Sequence, residues 1–291
     1  MSLRQKTVFA LLPAALLLLA LGIDIALQQK TTCCLPVLMY HHFDETSTAD
    51  TVVTPDRFRE QMTALKARGY TTVTLPQILA FVTDGTPLPE KPLLITMDDG
   101  YTSNLTAAAP ILEELGFCAT VFVIGINEGE DTYVHSGNPL YPARFSYEEA
   151  AKWAEKGVLD LQCHTFDMHQ LASYGFSGRD GLLPLKSEDP NAYQAALRED
   201  LQLFRQRRTG QVSTELLALA YPFGFFDARA DAVLQEAGIR FTLTVIERKN
   251  LLRQGDFSCL WNMGRYNVTD GWSGEALADR LDAALASPLT S

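Results

Sequence analysis

Two adjacent carboxylates, Asp98 and Asp99, stand in the stretch Thr96-Met97-Asp98-Asp99-Gly100, at the end of the apolar run Leu93 to Met97. A short apolar run of this kind reads as a buried strand. Burying two acids inside such a strand is costly, but the carboxyl end of a strand in an α/β fold can open onto a cleft. An acidic turn is the competing reading, since Asp and Gly are turn formers.

A second strand candidate, Val158 to Cys163, runs into His164-Thr165-Phe166-Asp167-Met168-His169. The chain has five histidines, and two of them lie here. On an α-helix this spacing would send the two imidazoles to different sides, so a shared ligand requires a loop or an irregular turn. Taken singly, each His reads as a structural residue. Taken with an acid, two imidazoles and one carboxylate make an open site for zinc or another divalent ion, with room for water. The neighbouring carboxylate can then serve as general base. Such an ion lowers the pKa of water and polarises a carbonyl, which is hydrolytic chemistry.

Two further features are weaker alone. Ala220-Tyr221-Pro222-Phe223-Gly224 ends another strand candidate, and its Pro and Gly set a sharp turn that can aim a backbone N–H; otherwise it is a plain βα turn. Met39-Tyr40-His41-His42 ends the first strand candidate. Neighbours on a strand face opposite ways, so only one of His41 and His42 need point into a site. His135 reads as a surface loop residue.

The elements that must position these groups alternate. Strands are expected near 36–40, 71–75, 93–97, 119–124, 158–163, 216–221 and 241–245. Helices are expected over 55–68, 76–82, 105–115, 192–208, 227–237 and 274–286, with another opened by a capping box of Ser146 and Glu149. Alternation of this kind implies parallel βα units, in a barrel or a doubly wound sheet. The stretches 126–145 and 170–190 read as long loops.

Composition sets the class. The 291 residues are 47% hydrophobic and 20% charged, as in an ordinary globular fold, and the net charge of −11 gives no basic footprint for nucleic acid. The five cysteines cannot all pair within one chain and show no zinc-ligand spacing. Arg4 and Lys6 precede an apolar run from Val8 to Ile23, so residues 1–30 read as a signal or membrane-anchor segment. No small-x-small cleavage site or lipobox is evident, which favours an uncleaved anchor. The domain from 35 to 291 is then expected outside the cell, attached to the membrane through that segment.

In this order, the four features resemble the polysaccharide deacetylase family (carbohydrate esterase family 4, the NodB homology domain). The opening Tyr-His, the His-x-x-x-x-His spacing and the Pro-aromatic-Gly turn are most similar to its poly-β-1,6-N-acetylglucosamine deacetylase-like branch. The resemblance implies a distorted (β/α)7 TIM-like barrel, here preceded by an N-terminal hydrophobic helix. It implies Asp98 as general base and Asp99, His164 and His169 as ligands of a divalent metal, Zn2+ before Co2+ or Ni2+. It also implies the Phe223 N–H as an oxyanion donor and an N-acetylated glycan as substrate. Two departures stand out. Most members carry, at the position of Ala220, an Arg that orients the base; Arg265 is the candidate replacement. Most also have a late His as general acid, whereas none follows His169 here, which points to His41, with His42 as its rival. A barrel that binds carbohydrate without catalysis, and a small-molecule amidase or O-deacetylase of the same fold, are the alternative readings.

Overall fold

A computed structural model describes residues 32–46 and 49–286. The expected N-terminal hydrophobic helix, signal or anchor, lies outside them. Among the described residues no helix is long and apolar enough to cross a membrane.

The strands are β1 (Thr32–Leu35), β2 (Val37–Tyr40), β3 (His42–Phe43) and β4 (Val52–Val53). They continue with β5 (Thr71–Thr72), β6 (Pro92–Asp99), β7 (Ala119–Val123) and β8 (Leu159–Cys163). The last are β9 (Ala218–Ala220), β10 (Phe241–Leu243), β11 (Asn250–Arg253) and β12 (Tyr266–Asn267). One sheet runs in the order β10-β9-β8-β7-β6-β2-β12, and every pairing along it is parallel. Leu243 of β10 also bridges Met263 in parallel, just before β12, so the two ends of the sheet approach each other. The architecture is therefore a curled parallel α/β sheet, as the alternation of elements implied.

Residue alternation on these strands explains the two hydrophobic clusters. Val37, Leu94, Phe122, Ala218, Ala220 and Leu243 pack with Leu35, Leu252 and Met263 in one cluster. Their strand neighbours Leu38, Ile95, Val121 and Leu219 join the other, with Phe58, Leu112, Trp153 and Leu201 of the helices. The first is the concave interior of the sheet; the second is the layer beneath the helices. Strands covered on both faces need near-continuous apolar runs, and β6 is buried at every position.

Several boundaries differ from expectation for local reasons. The strand expected to reach Leu75 stops at Thr72, because Thr74 caps the helix Leu75–Asp84 in a capping box with Gln77. The helix expected from Leu105 to Leu115 divides into a widened π turn, Asn104–Ala108, and an α-helix, Ala109–Leu115. Pro110 sits at that junction and has no N–H for the preceding turn. The helix Pro190–Arg208 starts two residues early, where Asp189 accepts from the N–H groups of Asn191 and Ala192. The helix expected at Asp227 begins at Ala230, since the Asp227 carboxylate accepts the Arg229 N–H in a turn. The antiparallel ribbon of β1 and β11 was not expected. All five cysteines are free, including Cys118 and Cys163.

Candidate active site

Because the strands are parallel, the carboxyl ends of β2, β6, β8 and β9 all open at one end of the sheet. That end collects His41, the pair Asp98-Asp99, His164 and the turn at Phe223. Period-two alternation puts Leu94, Thr96 and Asp98 on the concave face, so Asp98 points inward. Asp99 would face outward, but its φ of 73° lies in the left-handed region and redirects the chain. Among the described residues, three of the five non-glycine positions with positive φ are Asp99, Thr165 and Phe223. Such strain persists only where the surroundings enforce it, and it clusters at functional sites.

The Asp98 carboxylate is buried and held from the far side by Arg265. The guanidinium donates from Nη1 to Oδ1 at 2.7 Å and from Nη2 to Oδ2 at 2.8 Å. Its Nε donates to the Thr244 carbonyl, and Nη1 also reaches the Thr96 hydroxyl. Arg265 is fully buried, so this is a desolvated, bidentate ion pair. It comes from the segment that joins the ends of the sheet, and it supplies the partner that Ala220 cannot. Burial alone would raise the pKa of Asp98, yet the charges of Arg265 and His164 hold it below the usual carboxylate range.

Asp99, His164 and His169 offer ligand atoms that all lie within 4.8 Å of one another. Asp99 Oδ1 is 3.4 Å from His164 Nε2 and 3.2 Å from His169 Nε2. Ligand atoms bound to one tetrahedral ion of zinc size are spaced about 3.3–3.4 Å apart. Among the described residues, buried Asp99 Oδ1 has no hydrogen-bond partner, which is costly unless a cation or proton compensates. His164 Nδ1 lies 2.8 Å from the Ala220 carbonyl oxygen. A carbonyl can only accept, so Nδ1 carries a proton, and it is Nε2 that the neutral ring would present to an ion. Burial opposes ionisation of Asp99, but His169 and His164 beside it hold its pKa well below the carboxylate norm. His164 is raised, because Asp98 and Asp99 outweigh its burial. The donor set therefore fits a divalent cation with open positions.

The two His residues meet because residues 164–169 form an irregular loop, as their spacing required. The structure also separates His41 from His42. His41 Nε2 lies 3.9 Å from Asp98 Oδ2, facing the acid pair. Burial lowers its pKa, against the pull of Asp98 and Asp99. His42 instead turns its Nδ1 to the Ser103 hydroxyl at 2.8 Å and packs its ring on Tyr101. Ser103 Oγ also accepts the Phe43 N–H, and Asn104 Nδ2 donates to the His41 carbonyl at 2.8 Å. Ser103 and Asn104, which sequence reasoning missed, thus fix which imidazole enters the site. The signal was available: both are small polar residues in the connection directly after the acid pair.

Phe223 lies in the 3-10 turn Pro222–Gly224, and its ring centroid is 4.4 Å from that of His169. His135 is at the surface as expected, but it is not without context: its Nε2 is 2.8 Å from the Asp167 carboxylate, inside the loop of residues 164–169.

The polysaccharide deacetylase family profile matches residues 85–242. YxkH of Bacillus subtilis is 26% identical over 250 residues, covering 86% of this chain and 76% of that protein. The poly-beta-1,6-N-acetyl-D-glucosamine N-deacetylase of Escherichia coli is 25% identical over 202 residues, covering 64% of this chain and 30% of that protein. The chain thus spans less than a third of the E. coli enzyme's length. Among solved structures, a de-N-acetylase from Aggregatibacter actinomycetemcomitans superposes with a TM-score of 0.72 at 18% identity, covering 85% of this chain and 99% of that one. That likeness carries the fold alone. The family match takes in the acid pair and both loop histidines, the same groups that the geometry brings together, and the chain belongs to the polysaccharide deacetylase family of hydrolases.

Proposed function

We propose that the chain is a metal-dependent N-deacetylase acting on an extracellular N-acetylated glycan, with poly-β-1,6-N-acetylglucosamine as the leading substrate. The observation that carries this reading is a buried, Arg-paired carboxylate, Asp98, directly beside the convergent triad Asp99, His164 and His169. The name of the E. coli relative supports the choice of glycan.

Asp99, His164 and His169 would hold the ion, zinc being favoured by the donor set. When bound, it supplies Lewis-acid polarisation of the acetamide carbonyl and a more acidic water. Asp98 takes the proton of the attacking water, its carboxylate kept ionised by Arg265. The Phe223 N–H donates to the oxyanion that forms as the carbonyl carbon becomes tetrahedral. His41, in its protonated form, donates a proton to the departing nitrogen. The oxyanion then collapses to restore the carbonyl, the C–N bond breaks, and acetate and a free sugar amine are released. Arg4, Lys6 and the apolar run Val8 to Ile23 support export with the domain held at the membrane.

Acetate release from poly-N-acetylglucosamine oligomers tests the reading. Activity should vanish in EDTA and return with added Zn2+. Chelator-resistant release, or release from O-acetyl esters alone, would refute it. His41→Ala should lower kcat by about 10²- to 10⁴-fold, while His42→Ala stays close to the parent. Equal kcat values for the two variants would remove His41 as the acid.

A further inference from the structure

We propose that Asp200 is a positioning residue for the metal-ligand loop, holding His164 and His169 in converging orientations before an ion binds. The inference rests on the ligand set proposed above. Asp200 lies on the helix Pro190–Arg208, more than thirty positions from the loop in sequence. Its Oδ2 accepts the Phe166 N–H and its Oδ1 the Asp167 N–H, each at 2.8 Å. One carboxylate therefore binds two successive main-chain donors midway between the two imidazoles.

The inward face of that helix includes Tyr193, Leu197, Leu201 and Phe204. Packing alone calls for an apolar residue on such a stripe. Asp200 interrupts it and is only 6% exposed. A buried carboxylate is unfavourable unless hydrogen bonds offset its desolvation; the loop's two N–H groups oppose that penalty, though burial still raises the Asp200 pKa to about 6.

Cys163 Sγ accepts the Thr165 N–H, Gln170 donates to the Asp167 carbonyl and His135 contacts the Asp167 carboxylate; the remaining tethers are main-chain bonds that any residue type can make. His164 N–H donates to the Val123 carbonyl, and the N–H groups of Gly125 and Ile126 donate to the carbonyls of Thr165 and Phe166. These bonds fix one edge of the loop. They leave the Phe166 and Asp167 N–H groups facing the helix, in a stretch where Thr165 already carries a strained φ of 69°. The fit is close, because a Cβ on Gly125 would lie 2.8 Å from the Phe166 ring. Without the Asp200 carboxylate, those two N–H groups lack their partner and the loop is free to relax, which separates the imidazoles.

Zinc titration calorimetry on the metal-free full chain tests this, for the wild type, Asp200→Asn, Asp200→Ala and the packing control Leu197→Ala. Asp200→Asn keeps one acceptor oxygen and the side-chain volume, so it guards against simple misfolding. Both Asp200 variants should bind Zn2+ about tenfold to a hundredfold more weakly, the usual effect of losing a group that orients metal ligands. Leu197→Ala should lower the melting temperature of the metal-free protein without weakening binding. Wild-type affinity in the folded Asp200 variants would overturn the role, as would an equal loss in Leu197→Ala. Absence of Zn2+ binding by the wild type would overturn the ligand set itself, and this inference with it.

Discussion

Asp98→Asn is expected to lower kcat by about 10²- to 10⁴-fold, the usual range for a lost general base, while the protein still binds one divalent ion. Asn has the same shape but cannot take a proton at neutral pH. The triad atoms belong to Asp99, His164 and His169, so the substitution leaves every proposed ligand in place. The Asn oxygen can still accept from Arg265, although the ion pair is gone, and the variant should be folded but less stable. His164→Ala provides the contrast, because it removes a ligand and should lose both ion and turnover. Metal content by mass spectrometry, read beside acetate release, separates the two. Equal metal loss in both variants would show that Asp98 is not a spare carboxylate but part of the ligand set.

Arg265→Ala should cost about 3–5 kcal/mol of stability, because it leaves a carboxylate buried without its partner. It should also move the acid limb of the kcat/KM profile to higher pH. The sign follows from what opposes what at Asp98: burial raises its pKa, and Arg265 is the largest of the influences that lower it. Removing the guanidinium lets burial prevail, so Asp98 stays protonated to higher pH and the base is lost there. The stability consequence has the same origin. A depressed carboxylate pKa contributes stability above the unfolded-state value, and that contribution fades as pH falls through the folded pKa. Arg265→Lys keeps the charge but cannot form the two-pronged contact, and it should fall between the parent and Ala. Chemical denaturation midpoints and pH–rate profiles measure both effects. An unshifted acid limb in Arg265→Ala would show that Arg265 serves the fold and not the base.

The pairing of Arg265 with Asp98 was legible only as a candidate. The absence of Arg at Ala220 is visible in the sequence, but the replacement lies 45 positions later. Nothing local links it to Asp98. The link arises because the segment containing Met263 and Arg265 runs between β10 and β2, pairing with both ends of the curled sheet. The choice between His41 and His42 had the same character. Strand alternation requires the two to diverge, but which one turns inward depends on Ser103 and Asn104, set in the π turn and its approach. Asp200 was not legible as part of the site at all. It reads as one more acid in the charged helix Pro190–Arg208, and its two N–H partners belong to a loop on another element.

By itself the sequence determined the strand–helix alternation, the acid pair at a strand end, the two histidines that could not share a ligand on a regular helix, and the family these motifs resemble. Those are local matters, since periodicity, capping residues and turn formers act over a few positions. The tertiary structure decided what pairs with the Asp98 carboxylate, which imidazole faces it, and what the loop of residues 164–169 bonds to. Each depends on a buried polar group finding its partner across the sheet or from a helix, and such partners are set by how the chain packs, not by how far apart they lie along it.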